Sequence, residues 1–266
     1  VCSSDLPNVA RSIYIASPNA GTGKSTVALG LVSCLTKVVA KVGVFRPFVE
    51  SREGDAFLSL LLNRAGSTTP PEQCVGATWD EFHADPEEAL ARIVDAYRAM
   101  AREHDVVIID GSDFTDVAGN PELALNARVA ANIGVPVLLV VSGQNDVEDV
   151  VASVEVSMAE IADNHARTVA VVANKCLPET RQAVGEALTA IEGITSTTLP
   201  EVPLLAAPVV REVLDAVEGT LIAGDETLLD REAESVLVCA MDVSHVLERL
   251  TAGQLAIVPA DRSAML

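Results

Sequence analysis

Residues 17–25 read SPNAGTGKS, set between the apolar run IYIA and the helix-like stretch TVALGLVSCL. Each residue type suits the gripping of a polyphosphate. Glycines let main-chain N–H groups approach phosphate oxygens, a lysine reaches the terminal phosphates and a hydroxyl ligates Mg²⁺. Gly21, Thr22, Gly23, Lys24, Ser25 and Thr26 therefore form a candidate phosphate cradle. Pro18 stands where the pattern G-x-x-x-x-G-K-[ST] has its first glycine, and it removes one N–H at the loop's entry. The donors nearest the phosphates survive. The competing reading is an ordinary glycine-rich turn into a helix.

A phosphate loop needs a second acid for its metal, usually at the end of a neighbouring strand. VVIIDG puts Asp110 there, and Asp55 in GDAF is a second candidate that could equally be a helix cap. Ser25, Asp55 and Asp110 are thus the expected metal residues. Asn174 in VVANKC ends another strand and could read a base edge through its amide, or simply form a turn. A guanine reader of the N-K-x-D kind would need an acid where Leu177 stands, so adenine is the expected base. His83, His104, His165 and His245 are scattered beside acids and arginines and read as surface residues. No Ser, His and Asp arrangement is present, and no catalytic residue is assigned.

These positions need a frame. Apolar runs at 13–16, 42–45, 106–110, 135–141 and 169–174 alternate with amphipathic helical stretches. The expected class is α/β: a doubly wound, mostly parallel sheet with helices on both faces. Asp85-Pro86-Glu87-Glu88 supplies a cap, a first-turn proline and acids, opening a helix that should run to about Arg102. Val147, Val150, Val151, Val154, Met158 and Ile161 recur at helical spacing as a core stripe. Beyond Leu204 the character changes. Residues 1–10 read as a ragged or foreign end, 11–220 as the phosphate-loop domain, and 221–266 as a linker plus strand, helix and strand. Such a tail is too small to bury a core alone, so the chain is expected to stop inside a second domain.

Composition narrows the partners. The 266 residues are 49% hydrophobic and only 3% aromatic, with a formal net charge of -20. That field repels nucleic acid and anionic lipid, yet leaves room for a small anion held at a helix N-terminus. The five cysteines show no metal-ligand spacing and read as buried small hydrophobes in a reducing cytosol.

SPNAGTGKS, GVFRPF, GDAF, VVIIDG, PVLLVV and VVANK, in that order, resemble the dethiobiotin synthetase-like P-loop domain. Within that group, DGSDFTDVAGNPELALNARVAANIGVPVLLVV and LPEVPLLAAPVVREV look like the N-terminal domain of long-form bacterial phosphate acetyltransferases, most closely actinobacterial ones. MDVSHVLERLTAGQLAIVPADRS resembles the start of the DRTGG module that follows it there. The resemblance implies phosphates at Gly23, Lys24 and Ser25, Mg²⁺ near Ser25, Asp55 and Asp110, and adenine at Asn174. The implied cofactor is ATP or ADP with Mg²⁺, and the implied setting a cytoplasmic homo-oligomer with acetyl transfer performed outside this stretch. A stand-alone ligase is the alternative, against which stand Arg46 in place of a carbamate-holding lysine, and Asp113, Phe114 and Asp116 in place of a glycine-rich turn. Partition-type ATPases need a further lysine where Asn19 stands. A scaffold that keeps the loop only as architecture is the third reading.

Overall fold

The computed structural model describes residues 11–52, 54–112 and 122–261. Seven strands form one parallel sheet: β1 (Arg11–Ala16), β2 (Val42–Val49), β3 (Val75–Thr78), β4 (Val106–Asp110), β5 (Val137–Ser142), β6 (Thr168–Cys176) and β7 (Thr195–Pro200). Their order is β3-β2-β4-β1-β5-β6-β7. The helices are α1 (Lys24–Leu35), α2 (Ala56–Ala65), α3 (Trp79–Ala84), α4 (Pro86–Glu103), α5 (Glu122–Ile133), α6 (Val147–Asp163) and α7 (Arg181–Thr189). They cover both faces of the sheet. The central strands are near-continuous Val, Ile, Leu and Phe and lie buried on both sides, as parallel strands between helices require. Because the chain winds outward in both directions from β1, the loops after β1 and its neighbours open at the carboxyl edge. Ligands of open α/β sheets sit there.

All five expected strands are present. β3 and β7 were not expected, for different reasons. Val75–Thr78 is four residues long and is held by its pairing with β2. Thr195–Pro200 reads TSTTLP, a polar edge strand without apolar alternation that exists through its pairing with β6. β2 also runs on through Arg46 and Pro47 to Val49, past the expected end at Phe45. Its register with β4 closes at Phe45, so Pro47 lies where no N–H is demanded on that side. Asp85 accepts from the N–H groups of Glu87 and Glu88, and α4 follows as expected.

The chain divides into two compact units between Glu201 and Val202. The second contains α8 (Val210–Ala216), β8 (Ser235–Val238), α9 (Val243–Leu247) and β9 (Gln254–Ile257), with β8 and β9 paired in parallel. The strand, helix and strand expected in the tail are those last three. Of the cysteines, Cys74, Cys176 and Cys239 are buried, whereas Cys34 is exposed on the outer side of α1, so burial does not hold for it. Burial also raises the Cys74 thiol to about 11. Cys2 and the DGSDFTD residues Asp113, Phe114 and Asp116 lie outside the described residues.

Candidate functional site

The loop 17–23 joins β1 to α1. The chain can make this turn because Gly21 and Gly23 take φ of 74° and 81°, in the left-handed region that L side chains avoid. Gly23 is also the N-cap of α1, and no side chain caps that helix. Among the described residues, the main-chain N–H groups of Ser25 and Thr26 have no hydrogen-bond partner. Two open donors at the positive end of a three-turn helix favour an anion. The Ser25 hydroxyl likewise makes no hydrogen bond among the described residues. Ser17 is buried and donates from Oγ to the Asn19 carbonyl, bracing the entry that Pro18 begins.

Lys24 points down into the protein. Its side chain is 1% exposed, and its Nζ lies 2.9 Å from Oδ1 of Asp110, which is fully buried at the end of β4; Nζ also donates to the Gly111 carbonyl. The turn after Asp110 needs Gly111, because a Cβ there would stand 2.6 Å from Asn126 Oδ1 and 2.7 Å from the Ile15 carbonyl. Asn126 Oδ1 accepts from Tyr14 Oη at 2.6 Å and from the Ser112 N–H at 3.0 Å, pinning that turn to α5. Burial first, then the charges of Asp110 and Glu122, push the Tyr14 hydroxyl well above its ordinary range, so it remains a donor.

Arg46, in β2, reaches the same place. Its Nη1 pairs with Asp55 Oδ2, and its Nε lies 3.4 Å from Asp110 Oδ2. Asp55 caps α2 by accepting from the Leu58 N–H at 2.8 Å through Oδ1. The cap and metal readings of Asp55 therefore meet in one side chain that is already shared between a helix end and a guanidinium. The Arg46 guanidinium also stands over the Phe57 ring, 5.9 Å from its centroid.

Asn174 is buried at the carboxyl end of β6. Its amide nitrogen donates to the Thr22 carbonyl at 2.8 Å, and a Cβ on Gly23 would run into that amide. Lys175, at φ 59°, donates from Nζ to the Gly21 carbonyl at 2.7 Å. These two side chains hold the loop's carbonyls away from the donors. The structure thus brings the expected cradle, Asp55, Asp110 and Asn174 to one edge of the sheet. Arg46 and Lys175 join them without having been assigned there. The signal for Arg46 was its place in the family resemblance, where ligases keep a carbamate-holding lysine, and the signal for Lys175 was its position after Asn174. The four histidines lie elsewhere, with His104 packed against Gly43 and its Nδ1–H donating to the Met100 carbonyl.

The donor set does not fit a divalent ion as it stands. Both carboxylates already face protein cations, and no group of three or more His, Cys, Asp or Glu residues suited to a metal occurs among the described residues.

The parallel sheet and the glycine loop at its carboxyl edge define a P-loop domain. The chain belongs to the family described as AAA domain, whose model matches residues 11–214, and a DRTGG domain matches residues 212–266. It is 25% identical over 271 residues to phosphate acetyltransferase of Nitratidesulfovibrio vulgaris, covering 96% of this chain and 38% of that protein. The phosphate acetyltransferase of Synechocystis sp. is 25% identical over 264 residues, with coverage of 94% and 38%. The chain thus spans less than two fifths of the length of these relatives. A plasmid partition protein from Borrelia burgdorferi B31, solved bound to AMPPNP, has a similar fold: TM-score 0.52, 14% identity, 83% of this chain and 94% of that one. Among the described residues, no helix is long and apolar enough to cross a membrane.

Proposed function

We propose that this chain is the nucleotide-binding, regulatory part of a phosphate acetyltransferase, with acetyl transfer between CoA and phosphate carried by residues outside it. The open N–H groups of Ser25 and Thr26 at the start of α1 carry the reading, with Lys24 one residue away. The phosphate chain of ATP or ADP lies over Gly21, Thr22, Gly23, Lys24, Ser25 and Thr26, and Lys24 leaves Asp110 to reach it. Asn174 serves the site twice over: it holds Thr22 now and offers its edge to adenine when the base arrives. The parent protein is a cytoplasmic homo-oligomer whose activity the bound nucleotide adjusts. The family kinship over both domains supports this reading over a self-contained ligase, as does Arg46, whose wide fork is engaged by two carboxylates and is not available to a carbamate.

Calorimetric titration with ATP and ADP tests it. Binding is expected in the wild type, and Lys24→Ala should weaken it by about 1.5–3 kcal/mol, the worth of a hydrogen bond to a charged group. Circular dichroism checks that the variant remains folded. No heat at millimolar nucleotide would leave the loop as architecture only. The chain alone should form no acetyl phosphate from acetyl-CoA and phosphate, and turnover by it would refute the division of labour.

A further inference from the structure

Phosphate loops commonly hold Mg²⁺ through the loop hydroxyl and an acid at a strand end, and the metal neutralises the phosphates. Here the space between the two acids belongs to a side chain. Every carboxylate oxygen of Asp55 and Asp110 faces a protein donor. Asp55 Oδ1 takes the Leu58 N–H and Oδ2 takes Arg46, while Asp110 Oδ1 takes Lys24 and Oδ2 faces Arg46 Nε. We infer that Arg46 is the resident cation of this site and that its ligand is a nucleoside polyphosphate free of divalent metal. The inference rests on the nucleotide reading above for the identity of the ligand, but the occupancy of the acids by Arg46 does not.

Three physical points carry it. A guanidinium stays charged at any working pH, and this one is held in place by strand pairing at Arg46↔Val75, by Asp55 and by the Phe57 ring. Mg²⁺ requires six oxygens at about 2.0–2.1 Å in near-ideal octahedral geometry. It could reach Asp55 Oδ2 and Asp110 Oδ2 only by expelling a guanidinium that is 16% exposed. Finally, Arg46 solves the problem that Lys24 creates. When Lys24 swings to a phosphate, a fully buried Asp110 would lose its nearest counter-charge, and an uncompensated buried carboxylate is costly. Arg46 Nε and Asp110 Oδ2 are both buried, 3.4 Å apart and not hydrogen-bonded, so this pair has room to close as Lys24 departs.

The test uses the whole chain and two probes. Electron paramagnetic resonance of Mn²⁺ without nucleotide reads the acids directly, with Asp55→Asn variants subtracting the background that a strongly acidic surface collects. Wild type and Asp55→Asn should leave the same amount of Mn²⁺ free. Arg46→Met should take up more, and Arg46→Met/Asp55→Asn should lose that gain. Uptake by the wild type that disappears in Asp55→Asn would overturn the inference, and so would no gain in a folded Arg46→Met. Should Arg46→Met not fold, the wild-type comparison and Arg46→Lys, whose point charge cannot span both acids, still decide. In the second arm, ATP titrated in EDTA should bind the wild type, and excess Mg²⁺, which converts the nucleotide to its metal complex, should weaken that binding, while Arg46→Met should require the metal. Wild-type binding that is as tight or tighter with Mg²⁺ overturns the inference. Binding in neither buffer removes the nucleotide reading, and the Mn²⁺ result still judges Arg46.

Discussion

Gly23 meets two demands that no other residue type meets together. Its φ of 81° lies in the left-handed region, and the space beside its Cα is filled by the Asn174 amide that supports Thr22. Gly23→Ala is expected to cost at least about 1 kcal/mol from the backbone alone. It should also push Asn174 off the Thr22 carbonyl. Urea unfolding reads the first effect, and nucleotide titration should show weaker binding for the second; an unchanged midpoint and affinity would refute the close packing. At this scale the turn of the P-loop was legible because glycine, lysine and hydroxyl at fixed spacing between a strand and a helix have few other uses. The partnership of Arg46 with Asp55 and Asp110 was not legible. It depends on where three separate strand and helix ends come to rest, and spacing along the chain does not encode that.

Among the elements, α3 shows how local chemistry places a helix beside the site-bearing strand β2. Thr78 accepts from the Glu81 N–H and Glu81 accepts from the Thr78 N–H, a reciprocal cap at the junction of β3 and α3. Glu81 also pairs with Arg52 at 2.8 Å and Arg92 at 3.1 Å. Its carboxyl is lowered from 4.5, chiefly by the Thr78 N–H and then, against an opposing effect of burial, by Arg52 and Arg92. A carboxyl lowered in the folded state contributes stability above its ordinary value and loses it as the pH falls through the lowered one. Glu81→Gln should therefore cost about 1 kcal/mol at neutral pH and flatten the acid limb of the stability curve. Thermal melts of both proteins from neutral to acid pH check this; parallel curves would show that Glu81 carries none of the acid sensitivity. Neither the T-W-D-E box nor β3 before it was expected from the sequence. Four residues are too few for a periodic signal, and the strand exists because β2 offers it an edge.

On the scale of the molecule, the two units differ in what they bury. The large core made by the sheet and its helices lies within the first unit, while the second buries Leu229, Ala233, Cys239 and Val246 beside a two-stranded sheet. Residues 11–201 expressed alone should fold and melt cooperatively, close to the transition of the full chain, whereas 202–266 alone should show no cooperative transition. Calorimetry of the two pieces measures this, and a sharp transition in the shorter piece would refute it. The sequence alone determined the alternation of strands and helices, the phosphate loop, the acids at Asp55 and Asp110, and the kinship of both domains. Such features are written in periodicity and in runs of special residues that act within a few positions. Tertiary structure alone decided the polar edge strand β7, the short strand β3, the bracing of the loop by Asn174 and Lys175, and the cation that the two acids share. Those depend on distances between residues far apart in the chain, which only the closed sheet makes short.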